Sequence, residues 1–99
     1  ITVKVNAKVD AKDIAFRRAN DLITTYYVCC SDPFPNMFTF SPSAESVYAA
    51  WYSYAAGYNG MLRWAYNSWP EDPVVDSRFR KFPSGDTYFV YPDGRSSKF

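Results

Sequence analysis

Aromatic rings and hydrogen-bonding side chains are interleaved in residues 64–69, whose sequence is WAYNSW. An aromatic ring can stack on the apolar C–H face of a sugar, while neighbouring polar groups bond the sugar hydroxyls. Trp64, Asn67 and Trp69 are therefore candidate carbohydrate-binding residues, and Tyr27, on a neighbouring predicted strand, is a further candidate. A buried strand with an aromatic end is the alternative interpretation, and these residues alone leave it open.

Carboxylates are the other candidates for chemistry, beside tyrosine and cysteine, because the chain contains no histidine. That absence excludes histidine-based triads and histidine metal sites. Asp32 follows one predicted strand, and Glu71, Asp72 and Asp76 follow another, so a parallel sheet would place them at one edge. Glycoside hydrolysis needs two carboxyl groups around one bond, or one acid and a nucleophilic group of the substrate. Ordinary solvated loop carboxylates are the alternative for each of the four.

The two cysteines, Cys29 and Cys30, are adjacent in the sequence. A disulfide between neighbours closes a strained ring, so we expect free thiols at the end of an apolar strand. The sequence contains no phosphate loop, no metal-ligand spacing and no dinucleotide fingerprint. We therefore expect neither a cofactor nor a metal ion.

Composition limits the classes of partner. The 11 basic and 10 acidic residues give a net charge of +1, which offers no electrostatic basis for binding nucleic acid or an anionic membrane. No apolar run approaches the ~20 residues of a membrane span. Aromatic residues make up 20% of the 99 residues, and that excess requires either a crowded core or a stacking surface.

The hydrophobic pattern predicts an α/β fold. Strands are predicted at residues 1–5, 23–30 and 61–66, and helices at residues 11–22 and from Ser41 to Gly57. Because helices alternate with strands, the order favours about three parallel strands and two helices. Residues 87–91 predict one more short strand, a C-terminal β extension.

Cap residues and spacing define the second helix most clearly. Ser41 suits the N-cap, Pro42 the first helical position, and Gly57 the stop. Asp10 is the corresponding N-cap candidate of the first helix. The apolar stripe of the second helix is expected to face the core; its residues are Val47, Trp51, Tyr54 and Tyr58.

Alternation along residues 61–66 decides which side chains share a face. Leu62, Trp64 and Tyr66 fall on one side, and Arg63 and Ala65 fall on the other. We expect the side of Trp64 to face the sugar. The opposite choice, in which Arg63 binds a hydroxyl, stays open at this point.

Four runs of sequence, in order, resemble glycoside hydrolase family 123. They are residues 35–42, 60–69, 76–80 and 85–92. The similarity covers roughly residues 23 to 97 and corresponds to the last third of that family's catalytic domain. The resemblance implies a fragment of a (β/α)8 barrel, in which the three predicted strands are like the sixth, seventh and eighth.

The resemblance also implies an activity. The family is similar to β-N-acetylgalactosaminidases with a substrate-assisted mechanism, in which an adjacent Asp-Glu pair orients the 2-acetamido group and protonates the leaving oxygen. This chain has no Asp-Glu dipeptide, and Glu71-Asp72 has the reverse order. We therefore expect residues 1–99 to be a partial catalytic domain, incomplete at both ends, with part of the sugar pocket and no catalytic residue. We expect the chain alone to be inactive.

Partner and compartment follow from the same resemblance. It implies an N-acetylhexosamine glycan as the substrate of the whole protein, and secretion or a periplasmic location. Two alternatives from other classes remain: a small non-catalytic carbohydrate-binding module, and a purely structural α/β domain with a surplus of core aromatics.

Overall fold

The computed structural model describes residues 1–92, in which three parallel strands alternate with two helices. The elements in chain order are β1 (Thr2–Lys4), α1 (Ala11–Ala19), β2 (Thr25–Tyr27), α2 (Ser43–Ala55) and β3 (Gly60–Leu62). Strand β2 lies in the centre and pairs in parallel with both neighbours. The predicted α/β arrangement with parallel strands is confirmed. Residues 93–99, the end of the predicted domain, lie outside the described residues.

The register aligns the three strands in rows across the sheet. The middle row is Val3, Tyr26 and Met61, and the row at the carboxyl ends of the strands is Lys4, Tyr27 and Leu62. Because successive side chains of a strand alternate, these two rows project from opposite faces of the sheet.

Tyr26 is the centre of the core, on the face that the helices cover. It is fully buried, its hydroxyl donates to the Ala49 carbonyl oxygen of α2 at 2.6 Å, and its ring centroid lies 5.0 Å from that of Tyr52. The buried cluster around it comprises Val5, Val28 and Tyr58. The opposite face, called the open face below, carries side chains that are exposed or partly exposed: Thr2, Lys4, Thr25, Tyr27 and Leu62.

Helix α2 packs on the sheet through Ala49, Ser53 and Tyr52. Of the four residues in the predicted stripe, Tyr58, beyond the helix end, is buried in the core and the other three are not. Ala49 and Ser53 are its buried residues, whereas Val47, Trp51 and Tyr54 are 61%, 70% and 87% exposed. The prediction that these three belong to the core is therefore wrong. Small side chains at the contact let the helix backbone approach the Tyr26 hydroxyl, which the larger residues of the stripe would prevent.

The helix ends agree with the prediction at two of three caps. The Asp10 carboxylate accepts from the Lys12 amide at 2.9 Å, as an N-cap does. Gly57, at φ +77°, follows α2 in the left-handed conformation expected of a helix stop. The Ser41 prediction is wrong: its hydroxyl accepts from the Phe38 amide instead, and Pro42 occupies the N-cap position.

The predicted strand at residues 87–91 is also wrong, because only one antiparallel bridge forms there, between Asn67 and Tyr88. Hydrogen bonds flank this bridge, with Ser68 N donating to the Thr87 carbonyl oxygen at 3.0 Å. Turns precede it, and Gly85 at φ +79° bends the chain before a ladder can extend. The C-terminal extension is thus irregular chain joined to the segment after β3.

Within residues 1–92, neither helix combines the length and the apolar character needed to cross a membrane.

Candidate functional site

The candidate site is the edge of the sheet where all three strands end, called the carboxyl edge below. Parallel strands deliver the loops that follow them to this same edge, which is where open α/β sheets bind ligands. The chain segments placed here are residues 28–42 after β2 and residues 63–92 after β3.

Tyr27 is the last residue of β2 and projects from the open face. The register places it between Lys4 and Leu62, and its side chain is half-buried. A tyrosine here offers a ring and a hydroxyl next to a lysine ammonium. The structure therefore puts this predicted site residue at the carboxyl edge.

Trp64 lies two residues beyond the end of β3 and is 49% exposed. Its ring packs on Phe82, with the ring centroids 5.1 Å apart and the planes at 33°. A ring that is braced by a neighbour and half exposed is suited to stack on an apolar ligand surface.

Asn67 and Trp69 are brought together by the bridge to the C-terminal extension. Asn67 is exposed and pairs with Tyr88, while the Trp69 indole N–H donates to the Val90 carbonyl oxygen at 2.6 Å. Because an indole has one donor and no acceptor, Trp69 has only its ring face left for a ligand. These two residues are held by residues 88–90, whereas Trp64 contacts a different segment.

Arg63 is buried inside the carboxyl edge. Its Nη2 donates to Asp86 Oδ1 at 2.7 Å and to the Asp86 carbonyl oxygen at 2.9 Å, and its Nη1 donates to Asn36 Oδ1 at 3.2 Å. Its side chain is 4% exposed. Burial lowers the pKa of Arg63, and the Asp86 carboxylate opposes that shift. The guanidinium therefore joins two loops instead of presenting donors at the surface.

Asn36 joins the loop after β2 to this arginine. Its Nδ2 donates to the carbonyl oxygens of Cys29 and Asp32 at 2.9 and 2.8 Å, and its Oδ1 accepts from the Met37 amide as well as from Arg63. The site residues Asn36 and Asp86 were missed by residue-type reasoning. Both lie within the runs that resemble family 123, which was the available signal.

Asp32 is a buried carboxylate, contrary to the interpretation as a solvated loop residue. It is 7% exposed; its Oδ2 accepts from the Cys29 amide at 2.7 Å, and its Oδ1 lies 3.1 Å from Lys4 Nζ. Burial raises the pKa of Asp32, but hydrogen bonds from Cys29 and Lys4 outweigh burial and hold the pKa below its usual range. Asp32 is therefore ionised at neutral pH and fixes the lysine.

The three carboxylates after β3 are exposed, and two of them bond within their own loop. Asp72 accepts from the amide of Val74 at 3.2 Å, and Asp76 accepts from the Arg78 guanidinium, which lowers the pKa of Asp76 to about 2. Glu71 is exposed. Across residues 1–92 no three histidine, cysteine or acidic side chains gather into a group that could hold a metal ion.

The family follows from comparison of the whole sequence. Residues 1–98 match the profile of the glycoside hydrolase 123 catalytic domain. The chain belongs to glycoside hydrolase family 123. This match reaches further than residues 23–97, because it includes β1 and α1.

A solved structure agrees with this family 123 assignment. It is a family 123 glycoside hydrolase from Clostridium perfringens, determined in a study of glycolipid glycan hydrolysis, with a TM-score of 0.84 and 27% sequence identity. The similarity covers 100% of this chain and 18% of that one, so the chain spans less than one fifth of its structural relative. No curated protein matches the chain.

Proposed function

We propose that residues 1–99 form part of a family 123 catalytic domain, incomplete at both ends, in an enzyme that hydrolyses β-N-acetylgalactosaminides of glycolipid-type glycans. The chain supplies one side of the sugar pocket, and the catalytic acid pair lies elsewhere in the enzyme. The observation that carries this proposal is the position of Tyr27 and Trp64. Tyr27 ends β2, Trp64 follows the adjacent parallel strand β3, and both keep exposed surface at the carboxyl edge.

A (β/α)8 barrel would account for the open face of the sheet, which would line the barrel interior. In such a barrel the helices lie outside, the opposite face of the sheet lines the interior, and the active site is at the carboxyl ends of the strands. Helices α1 and α2 lie on the face of Tyr26, so closure of the barrel would turn Lys4, Tyr27 and Leu62 inward. The proposal therefore puts Tyr27 in the inner wall, close to the sugar.

The roles of the four site residues follow from the ring face or hydrogen-bonding group that each can present to a ligand. Trp64 stacks on the apolar face of the pyranose, Trp69 adds a second ring face, and the exposed amide of Asn67 bonds a hydroxyl. Tyr27 contributes its hydroxyl or ring from the strand. These residues orient the sugar and exclude water from it. They donate no proton to the leaving oxygen, because that role falls to an acid pair outside this chain.

The replacement Trp64→Ala in the complete enzyme tests the pocket. Stacking of a ring on a base is worth ~1–3 kcal/mol; by analogy, kcat/KM on an aryl β-N-acetylgalactosaminide should fall about 5- to 150-fold. Trp51→Ala is the matched control, because Trp51 is an exposed tryptophan on α2, away from the carboxyl edge. Wild-type kinetics in a folded Trp64→Ala enzyme would remove Trp64 from the pocket.

A non-catalytic carbohydrate-binding module is the second candidate, because the exposed Trp64 and Asn67 would serve sugar binding without hydrolysis equally well. The upstream coding sequence separates the two. An Asp-Glu pair at the end of a strand there supports the enzyme, and a linker to an unrelated domain supports the module. Hydrolysis by the isolated 99-residue chain would contradict the placement of the acid pair.

A further inference from the structure

We propose that Lys4 donates a hydrogen bond to a hydroxyl of the bound sugar, next to Tyr27, and that Asp32 is the positioning residue that holds Lys4 in place. This inference rests on the proposed function and adds a polar contact on β1 to the aromatic contacts after β2 and β3.

Lys4 has the position of a pocket residue. It ends β1, projects from the open face, and is the register partner of Tyr27. Its side chain is 45% exposed, so the ammonium stays accessible although the strand is paired. The same row continues to Leu62, so Lys4, Tyr27 and Leu62 line the carboxyl edge across all three strands.

The ammonium is fixed in one place by the loop after β2. Lys4 Nζ lies 3.1 Å from Asp32 Oδ1 and 3.4 Å from Ser31 Oγ. Asp32 is itself immobilised, because it is 7% exposed and its other oxygen accepts from the Cys29 amide. An ammonium has three N–H donors, and these two partners leave one donor for a ligand.

The pairing also selects the kind of ligand group. Asp32 cancels the positive charge of Lys4, so the pair attracts an anionic substituent only weakly. A hydroxyl needs a donor and no net charge. The hydrogen bond to Asp32 raises the pKa of Lys4, so the donor stays protonated at neutral pH. The chemistry that fits is a neutral sugar hydroxyl.

The test measures hydrolysis and binding by the complete enzyme with wild type, Lys4→Met and Asp32→Asn. The ligands are an aryl β-N-acetylgalactosaminide, free N-acetylgalactosamine, and analogues of both that each lack one hydroxyl. A hydrogen bond from a charged donor contributes enough that Lys4→Met should lower kcat/KM, and sugar affinity, about 10- to 100-fold. Asp32→Asn should give a smaller loss. Lys12→Met, which alters an exposed lysine of α1, should match wild type.

One analogue decides the result. For the analogue that lacks the partner hydroxyl, wild type and Lys4→Met should be equal, whereas a merely structural role of Lys4 would lower binding of every analogue by the same factor. Equal losses on all analogues, or no loss on the parent sugar, overturn the Lys4 assignment. A wild-type enzyme that binds the sugar without hydrolysing it overturns the proposed activity and still tests Lys4 by affinity. Absence of both binding and hydrolysis overturns both.

Discussion

Arg63 and Asp86 form a buried ion pair, with Arg63 Nη2 2.7 Å from Asp86 Oδ1 and side-chain exposures of 4% and 0%. Asp86 Oδ2 is buried and has no hydrogen-bond partner among residues 1–92. The pair joins the end of β3 to the C-terminal extension, and Asn36 extends it to the loop after β2. The charges depend on each other, because both side chains are buried.

Removal of one partner of this pair should therefore be costly. Arg63→Met in the complete protein leaves the Asp86 carboxyl group buried without its cationic partner, and we expect the free energy of unfolding to fall by about 3–5 kcal/mol. The double variant Arg63→Met/Asp86→Asn should recover part of that loss. Chemical denaturation measures both. Arg78→Met, which breaks an exposed pair with Asp76, should change stability little; an equal loss there would contradict the role of burial.

Two glycines with different surroundings should respond differently to alanine. A Cβ on Gly85 would lie 2.8 Å from Thr39 Cγ2 and 3.1 Å from Thr39 N, at a φ of +79°. A Cβ on Gly60 would meet nothing within 4 Å. We expect Gly85→Ala to destabilise the protein by about 1–3 kcal/mol, and Gly60→Ala to be neutral or slightly stabilising. Thermal unfolding of the two variants side by side checks the difference, and equal melting temperatures would disprove it.

Replacement of Tyr26 by Phe should show how much its buried hydroxyl contributes to the free energy of unfolding. Tyr26→Phe removes the 2.6 Å hydrogen bond to the Ala49 carbonyl oxygen but keeps the ring in the core. We expect a loss of about 1 kcal/mol in the free energy of unfolding, against no change for Tyr54→Phe, whose residue is 87% exposed. Burial raises the pKa of Tyr26 to about 12. In an alkaline absorbance titration, the phenol of Tyr26 should therefore ionise above the usual range of a tyrosine.

Asp32 should make the free energy of unfolding depend on pH in the acidic range. Its pKa is lower in the folded protein than in the unfolded chain, so its contribution is complete at neutral pH and is lost as the pH falls through the folded value. In Lys4→Met one cause of the lowering is gone, so the folded-state pKa of Asp32 should rise, and its contribution should be smaller and be fully lost at a higher pH. A carboxyl-carbon NMR titration of Asp32 in wild type and Lys4→Met measures the shift. An unchanged Asp32 pKa would show that Lys4 does not hold it.

Local signals predicted the arrangement of the chain well. The alternation of strands and helices led to the parallel sheet, and the Gly57 stop and the Asp10 cap depend on a few neighbouring residues. Such features are encoded within one or two turns of chain, so the sequence shows them directly.

Strand lengths depend on distant residues, and the strands predicted from the sequence are longer than the observed ones. Residues 61–66 alternate as a strand does, yet β3 ends at Leu62, because its register partner Tyr27 is the last residue of β2. Residues 23–30 likewise shrink to Thr25–Tyr27. The Thr24 amide donates to Asn59 Oδ1, and the Cys29 amide donates to Asp32. A local pattern does not show a partner such as Asn59, which lies 35 residues from Thr24, and residue types alone did not show the bond between Cys29 and Asp32.

The candidate site likewise contains residues that the sequence could suggest and residues that it could not. The four site residues were chosen by type, and they remain predictions. The residues that fix the loops around them could not be chosen so, because Asp32, Asn36 and Asp86 look like ordinary loop residues until burial is known. The core prediction for Trp51 and Tyr54 failed for the same reason. Helical spacing identifies residues that share one side of a helix, but it does not show which side packs on the sheet.

The adjacent thiols give the carboxyl edge a pair of chemical reporters. Cys29 is half-buried, and its Sγ lies 3.1 Å from Ser31 Oγ, which also accepts from Lys4. Cys30 is exposed. A maleimide label should therefore react first at Cys30, which serves as an internal standard for the slower Cys29. A sugar seated against Lys4 would slow labelling of Cys29 alone, so mass spectrometry of one peptide would report occupancy in the unmodified enzyme.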